Sequence, residues 1–377
     1  MAGPKAPGAR KSKATDPRGK SVTIVGAGGN IGSHLVPHIA RLAGVSQVTL
    51  IDPDIYTEAN IPSQDIDRRD VGKRKVVIQA KRLNRITGDI EVTVIAEPVE
   101  SVPLGQLHAD VIVACLDSRR ARQAVNQSAW RLGIPWVDAA VEAGGLLARI
   151  NSYIPHSEAP CLECAWGEAD YALVEQSYPC QAESSVPATN APSYLGALAA
   201  SLQAIEIDKL LHGMVDRSLV GSQLFVDASA HQQYRTVFRR NPRCLFDHQV
   251  WEIERLETPP GRLTVKSALE LGGNSGEGAS QLRVDGDAFV WQLSCTHCGK
   301  CHPALRLARR LGPEHQACRE CGAAMVAHGF DMEDRIEAKD PRVLALRYRS
   351  LASLGLRRGD VFSVAGLSGE RHYEIGG

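Results

Sequence analysis

The sequence has no excess of charge of either sign. Its 377 residues include 43 basic and 43 acidic side chains, so the formal net charge is zero. A neutral chain has no bulk electrostatic attraction for nucleic acid or an anionic membrane, so neither partner is expected. The sequence also lacks a run of about 18 uninterrupted apolar residues, which a membrane-spanning helix requires.

The beginning of the chain lacks the apolar core of a secretory signal peptide. Residues 1–20 instead combine small residues and proline with one acid, Asp16, and several basic side chains, namely Lys5, Arg10, Lys11, Lys13, Arg18 and Lys20. This composition is typical of disordered segments. We therefore predict a disordered basic tail over 1–20.

The ten cysteines occur mostly in Cys-x-x-Cys pairs, without a secretion signal. That pattern favours metal ligation in a reducing cytosol over disulfide bonds, so we expect a cytoplasmic protein. Two pairs near the C-terminus are separated as in a zinc ribbon, which predicts a Zn²⁺ site at Cys295, Cys298, Cys318 and Cys321. A dense basic stripe is missing there, which favours protein docking or bracing over nucleic-acid binding.

Cys301 and His302 lie beside the first of these pairs, and either is an alternative ligand.

In the first 150 residues, apolar runs typical of strands alternate with segments whose apolar residues have helical spacing. β-branched, nearly continuous apolar runs predict buried strands, and helical spacing of apolar residues predicts the segments between them. This alternation predicts an α/β fold with a doubly wound, mainly parallel, Rossmann-like sheet. The predicted strands are 21–26, 47–52, 91–96, 109–115, 135–140 and 145–153, and the predicted helices are 34–43, one from 72, and 119–132.

A glycine-rich block at 26–32 follows the first predicted strand, and Asp52 ends the second. Strand, glycine turn, helix, strand and acid is the order of a nucleotide-binding crossover unit. The turn lets a phosphate approach backbone N–H groups, and the following helix contributes its positive end. This motif alone predicts a nucleotide without saying which one.

An ordered set of polar residues follows the block and narrows the choice. It consists of Asp52, Asp54, Asn60, Gln64, Lys75 and Asp117, with Arg122 and Asn126. With the glycine block, this set resembles the superfamily of ThiF, MoeB and the ubiquitin-activating enzymes, over roughly residues 20–250. These enzymes adenylate the C-terminal glycine of a ubiquitin-like or sulfur-carrier protein.

The resemblance implies binding of ATP and Mg²⁺ and a role for each residue. Lys75 would place a positive charge near the phosphates, Asp52 would hold the ribose, and Asp117 would organise the metal or the reacting groups. Asn60 and Gln64 would contact phosphates or the incoming carboxylate. The remaining predicted nucleotide contacts are Gly26, Gly28, Gly29, Asn30 and Asp54. Singly, these residues have structural alternatives: a solvated helix lysine, turn caps, or a cap of the helix from 118.

Two positions depart from the family pattern. The glycine motif GxGGxG has one extra residue before Gly32, and the position before Gln64 is Ser63 where the family usually has arginine. A replacement cation would come from Arg68, Arg69 or a neighbouring subunit. The last option suits the homodimer that the resemblance implies.

The resemblance also implies a structural zinc site within the first domain. Cys161 and Cys164 would supply two ligands, and Cys244 would supply a third. The family usually has a fourth cysteine where this chain has Asp247, with His248 next. Imidazole suits tetrahedral zinc better than carboxylate, so we expect His248 as the ligand. The alternative is a set of buried free thiols.

Cys180 lies where the family often has its thioester- or persulfide-forming cysteine, shortly before a predicted helix over 195–211. Its thiolate would attack the acyl-adenylate, which conserves the activation energy as a thioester. The alternative is a packing or surface cysteine. Cys115, within an apolar strand, is expected in the core.

Together these features predict an enzyme, a ubiquitin-activating-like adenylyltransferase of bacterial type that passes its substrate to a conjugating-enzyme-like carrier. The predicted domains are the tail 1–20, an adenylation domain 21–255, a linker 256–285, and a zinc ribbon with a C-terminal module 286–377. Three alternatives remain open. They are a sulfur-carrier adenylyltransferase, an NAD-dependent oxidoreductase with the same crossover unit, and a non-catalytic nucleotide-binding adaptor.

Overall fold

The computed structural model describes residues 19–175, 191–272, 280–366 and 369–376. Nearly all of the predicted basic tail lies outside these ranges. Cys180 and most of the Gly/Ser-rich stretch within the predicted linker lie outside them as well.

An eight-stranded sheet organises the first part of the chain, in the order β3-β2-β1-β4-β5-β6-β7-β8. The first five strands in this order pair in parallel, and the last three are added antiparallel. The mainly parallel part is the one expected from the sequence. The strands are β1 (Lys20–Val25), β2 (Val45–Ile51), β3 (Glu91–Ile95), β4 (Val111–Ala114), β5 (Trp136–Glu142), β6 (Leu147–Tyr153), β7 (Ser222–Asp227) and β8 (Gln232–Val237).

Helices cover both faces of this sheet, because successive strand residues point to opposite faces and both sets are apolar. One buried cluster joins the sheet to α1 (Asn30–Ile39), α2 (Lys75–Ile86) and α5 (Ser193–Leu211). The other joins the opposite face to α3 (Arg119–Leu132), with Trp130 and Trp136 fully buried. A shorter helix, α4 (Glu168–Glu175), precedes α5. The doubly wound fold predicted from the sequence is confirmed.

The C-terminal unit, which we define as residues 253–376, contains two smaller sheets. One has five strands in the order β15-β10-β16-β17-β9, and the other pairs β11 with β12, β13 and β14. The elements are β9 (Ile253–Leu256), α6 (Val265–Glu270), β10 (Gln281–Arg283), β11 (Phe289–Cys295), β12 (Cys301–Leu307), β13 (Met325–Val326), β14 (Met332–Glu333), β15 (Arg335–Glu337), α7 (Pro341–Leu346), β16 (Val361–Gly366) and β17 (Gly369–Ile375).

The segment 256–285, predicted as a linker, contains α6 and β10 among its described residues. Leu263, Val265, Leu269 and Leu282 from this segment belong to the buried core of the C-terminal unit. The Gly/Ser-rich stretch that suggested a linker is therefore flanked by core elements. The domain boundaries remain a prediction.

Two local predictions from the sequence differ from the structure. The sequence also predicts strand structure over 225–238, and the structure divides this segment between the strands of the β7–β8 hairpin, whose turn is closed by Asp227 accepting from the amides of Ser229 and Ala230 at 3.0 and 2.9 Å. The first helix covers Asn30–Ile39 and so begins inside the glycine block, whereas the sequence predicts it over 34–43. Among the described residues, we find no helix with both the length and the apolar character needed to cross a membrane.

Candidate nucleotide site and metal centres

A cavity of about 430 Å³ opens at the carboxyl ends of β1, β2 and β4. Its size lies within the usual range of small-molecule sites, and ligands of open α/β sheets bind at this edge. The predicted residues that line it are Gly26, Gly29, Asn30, Asp52, Asp54, Asn60, Gln64, Lys75 and Asp117. Residues far apart in sequence therefore converge on one concave surface.

The glycine turn forms the wall of the cavity between β1 and α1. A Cβ on Gly28 would lie 2.3 Å from the Cβ of Lys75, and one on Gly32 would lie 2.1 Å from the carbonyl oxygen of Gly26. The turn therefore has room only for glycine at these two positions. The extra residue of the motif, before Gly32, lies in the first turn of α1, which begins at Asn30. The first turn of α1 contains no acidic residue, so its positive end is available to an anion.

Asp52 directly follows β2, and its carboxylate forms hydrogen bonds with the glycine turn and with Asp54. Its Oδ2 accepts from the amide of Gly28 at 2.9 Å, and its Oδ1 accepts from the amide of Asp54 at 3.1 Å. Burial raises the pKa of the Asp52 carboxyl, while the positive charge of Lys75 partly offsets this rise. A buried acceptor at the end of the second strand fits a ribose hydroxyl.

Lys75 is the first residue of α2, and its side chain points back into the site. The side chain is only 8% exposed, and Nζ lies 3.0 Å from Asp54 Oδ2. Nζ also lies 5.7 Å from the ring centroid of Tyr56, whose hydroxyl accepts from Gln79 Nε2 at 2.7 Å. Lys75 is thus a buried cation at the cavity wall rather than a solvated helix lysine.

Asn60 and Gln64 border the cavity in different ways. The side-chain oxygen of Asn60 accepts from the amide and the hydroxyl of Thr57, so this residue closes its own turn as well. The Oε1 atom of Gln64 is buried, and the described residues offer it no hydrogen-bond partner. An unpaired buried polar atom beside a cavity fits a ligand contact.

Asn30 also connects distant segments of the chain, because its Nδ2 donates to the carbonyl of Ser63, which lines the cavity, at 2.6 Å and to that of Ala191 at 2.9 Å.

The two arginines proposed as replacements at Ser63 do not line the cavity in the described structure. Arg68 and Arg69 are exposed in a short 3₁₀ turn, Arg68–Asp70. Among the described residues, the cations that do line the cavity are Lys75 and Arg122.

Arg122 belongs to a buried charge cluster on the other side of the cavity. Its Nε lies 2.9 Å from Oδ1 of Asp138, whose Oδ2 lies 2.7 Å from Arg149 Nη2. Asp138 is fully buried, so two arginines share one carboxylate and the cluster retains a net positive charge. Asp117 is exposed at the cavity mouth, whereas the cap of α3 is Ser118.

Asn126 lies away from the cavity. It is fully buried, and its side chain holds Glu163 and the amide of Leu162 at 3.1 and 3.2 Å. It therefore fixes the loop that contains Cys161 and Cys164 against α3.

Cys161, Cys164, Cys244 and His248 form a cluster in which the four ligand atoms lie within 4.8 Å of one another. His248 Nδ1 lies 3.1 Å from the carbonyl of Ala159, which leaves Nε2 facing the thiols, 3.6 Å from the Cys164 sulfur. Three sulfurs and an oriented imidazole fit tetrahedral Zn²⁺. The ring of Trp130 in α3 packs 5.7 Å from that of His248, so the cluster holds its loops against the sheet layer.

Asp247 points away from this cluster. Both of its carboxylate oxygens bind the guanidinium of Arg131, at 2.6 and 3.1 Å. Arg131 also binds Asp285 of the C-terminal unit at 3.0 Å. Through Arg131, Asp247 is therefore linked to Asp285 of the C-terminal unit. The fourth ligand position of the cysteine cluster is filled by His248.

Cys295, Cys298, Cys318 and Cys321 form the second cluster, again with all ligand atoms within 4.8 Å. The amides of His297 and Cys298 point at the Cys295 sulfur, each at 3.4 Å. Gly299 and Gly322 follow the second cysteine of each pair with positive φ, which closes the two knuckles. Four thiols in this geometry fit structural Zn²⁺.

His302 Nε2 lies 3.6 Å from the Cys318 sulfur at the margin of this cluster, whereas Cys301 is exposed and contacts Ser294. Cys115, expected in the core, is buried where it lines the cavity, and its sulfur lies 3.2 Å from Gln203 Oε1.

Comparison with known proteins gives one family match, in which the ThiF family model covers residues 10–246. Among curated proteins, the chain is 26% identical over 227 residues to the sulfur carrier protein ThiS adenylyltransferase of Escherichia coli (strain K12), covering 59% of this chain and 84% of that one. It is 32% identical over 153 residues to the adenylyltransferase and sulfurtransferase UBA4 of Yarrowia lipolytica.

That second match covers 40% of this chain and 37% of the Yarrowia protein. The match to ubiquitin-like modifier-activating enzyme 5 of Dictyostelium discoideum is similarly partial, at 28% identity over 39% of this chain and 42% of the relative. Among solved structures, E. coli MccB aligns with a TM-score of 0.50 and 21% identity, over 63% of this chain and 67% of that one. This likeness shows a shared fold.

Proposed function

The chain belongs to the ThiF family, and we propose that it uses ATP to adenylate the C-terminal glycine of a small ubiquitin-like or sulfur-carrier protein. The convergence of the glycine turn, Asp52 and Lys75 on one cavity is the observation that carries this proposal. An NAD-dependent oxidoreductase with the same crossover unit would not explain why Lys75 is buried beside the carboxylates of Asp52 and Asp54.

In the proposed reaction, a carboxylate oxygen of the terminal glycine attacks the α-phosphorus of ATP. A new P–O bond forms the acyl-adenylate, and the bond to the bridging oxygen breaks to release pyrophosphate. No general base is required because the nucleophile is already ionised. Lys75 and the amides at the start of α1 would stabilise charge on the phosphates. Exposed Asp117 and Asp54 carboxylates at the cavity suit Mg²⁺, which would neutralise the leaving pyrophosphate.

We further propose that Cys180 captures the activated glycine. Its thiolate would attack the acyl carbonyl, form a thioester and release AMP, and the acyl group would then pass to a conjugating-enzyme-like carrier. Cys180 lies outside the described residues, so the support comes from its position before α5 in the sequence. We propose a homodimer in the cytoplasm, with Zn²⁺ in both cysteine clusters.

Sulfur-carrier activation is the second candidate. The match over 84% of the E. coli ThiS adenylyltransferase favours it. Separate incubations with ATP, Mg²⁺ and either ubiquitin-like or sulfur-carrier proteins, followed by non-reducing electrophoresis and a pyrophosphate assay, show which kind of carrier is activated. A thiol-sensitive adduct that is lost in Cys180→Ala supports the thioester. Pyrophosphate release without an adduct supports adenylation alone, and ATP binding without pyrophosphate release would leave the non-catalytic adaptor.

A further inference from the structure

The C-terminal unit contacts a segment that borders the nucleotide cavity. Pro98, Val99 and Glu100 line the cavity just after β3. In the sheet order β3-β2-β1, the end of β1 carries the glycine turn and the end of β2 carries Asp52. A nucleotide that places phosphates at the turn and ribose at Asp52 extends its base toward the end of β3. We therefore define the segment 97–101, of which residues 98–100 line the cavity, as the base-side wall.

Arg357 of the C-terminal unit binds both ends of this wall, at Glu97 and at Ser101. Its Nη1 and Nη2 atoms each lie 2.9 Å from one oxygen of Glu97, and Nη2 also donates to the carbonyl of Ser101 at 2.8 Å. Arg310 donates to the same carbonyl from Nη1 at 2.6 Å. Two guanidinium groups thus bracket the 3₁₀ turn Val99–Ser101.

A buried carboxylate holds the two arginines in place. Asp360 is fully buried, accepts from the amide of Arg357 at 2.6 Å, and lies 3.2 Å from Arg310 Nη2. The Arg310 side chain is 8% exposed. A backbone hydrogen bond of 2.8 Å from Gly105 to the carbonyl of Gly359 fixes the neighbouring contact between the same parts of the chain.

We propose that Arg357 and Arg310 position the base-side wall of the nucleotide cavity, which makes the C-terminal unit part of the ATP site. This inference rests on the proposed use of ATP. An exposed ion pair contributes little stability by itself. Here, however, a bidentate pair at Glu97 and two donors to the carbonyl of Ser101 hold both ends of the segment 97–101, whose residues 98–100 line the cavity. Both arginines are positioning residues, because they act through 97–101.

The test compares the binding of ATP and inorganic tripolyphosphate to the full-length chain, each measured by competition against a fluorescent ATP analogue. Tripolyphosphate reports on the glycine turn and Lys75, whereas ATP also requires the base-side wall. We expect Arg357→Ala to weaken ATP binding about tenfold and leave tripolyphosphate binding unchanged. Glu97→Gln should act in the same direction. Arg357→Lys should give an intermediate affinity because lysine lacks the fork.

Arg283→Ala is the matched control. Arg283 forms a comparable two-contact pair with Glu370, with Nη2 to Oε2 at 2.9 Å, but within the C-terminal unit. Its ATP affinity should equal that of the wild type. The inference is overturned if Arg357→Ala binds ATP like the wild type, or if both ligands weaken equally. A folded wild-type chain that binds no ATP would instead overturn the proposed function and, with it, this inference.

Discussion

Lys75 Nζ lies 3.0 Å from Asp54 Oδ2, in a pair whose two members differ sharply in exposure. The lysine side chain is 8% exposed and the aspartate side chain 61%. Lys75 therefore places a buried ammonium at the cavity wall, while its partner carboxylate faces the solvent. Because Asp54 is largely exposed, solvent screens its attraction to Lys75, so we expect a bound phosphate to compete with it for the ammonium.

Replacing Lys75 tests this role. Lys75→Met keeps much of the volume of the side chain and removes its charge, so we expect ATP affinity to fall at least tenfold and adenylation to fall about 100-fold. Lys73→Met is the matched control, because Lys73 is two residues away, exposed, and absent from the cavity wall. Equal ATP binding by the two variants would contradict the assignment.

The glycine turn yields a steric prediction. A methyl group on Gly28 would collide with Lys75, at 2.3 Å from its Cβ, and would push the lysine away from the phosphates. Gly28→Ala should therefore weaken ATP binding by about tenfold or more, measured by calorimetry. Gly88→Ala provides the comparison, since nothing lies within 4 Å of its added Cβ. Wild-type affinity in Gly28→Ala would show that the turn does not contact the ligand.

The two cysteine clusters predict two zinc ions per chain. Elemental analysis of the purified protein should find one zinc in His248→Ala, together with a lower melting temperature, because a structural site contributes folding energy. Asp247→Ala should retain both, since its carboxylate binds Arg131. Loss of zinc from Asp247→Ala but not from His248→Ala would reverse the ligand assignment.

His372 predicts a pH dependence of stability. Its ring stacks on Trp251 at 4.0 Å, and burial lowers its pKa below the usual 6.5, with the charges of Arg283 and Arg131 adding to the effect and Glu370 opposing it. The folded state therefore favours neutral His372.

This stabilisation is complete above pH 6.5 and is lost as the pH falls through the lowered pKa of the folded state. Thermal unfolding between pH 7.5 and 5 should show a smaller loss of stability in His372→Gln than in the wild type. A parallel decline in both proteins would argue against a depressed pKa.

The first sheet was largely predictable because its signals are local. Apolar runs identify the parallel strands, and α3 begins and ends at the predicted residues, 119 and 132, between a Ser118 cap and Gly133 in the left-handed region. The β7–β8 hairpin was missed because its turn contains neither glycine nor proline. Asp227 closes it through side-chain hydrogen bonds instead.

The candidate site was predictable where residue types follow strand ends, as with Asp52 and Asp117, or recur at metal-ligand spacing. Contacts between distant segments could not be predicted from the sequence. Glu97 and Arg357 are 260 positions apart, and neither lies in a recognisable motif. The ligand role of His248 could be proposed from the sequence, but only the pairing of Asp247 with Arg131 explains why the neighbouring carboxylate is unavailable.

Isotope exchange between labelled pyrophosphate and ATP tests the adenylation proposal most directly. The assay uses the wild-type chain, Mg²⁺ and a panel of ubiquitin-like and sulfur-carrier proteins that end in two glycines. We predict exchange that requires one member of the panel with its terminal glycine intact, and that disappears in Lys75→Met. A folded wild-type chain that exchanges no label with any member and binds no ATP would contradict the proposal.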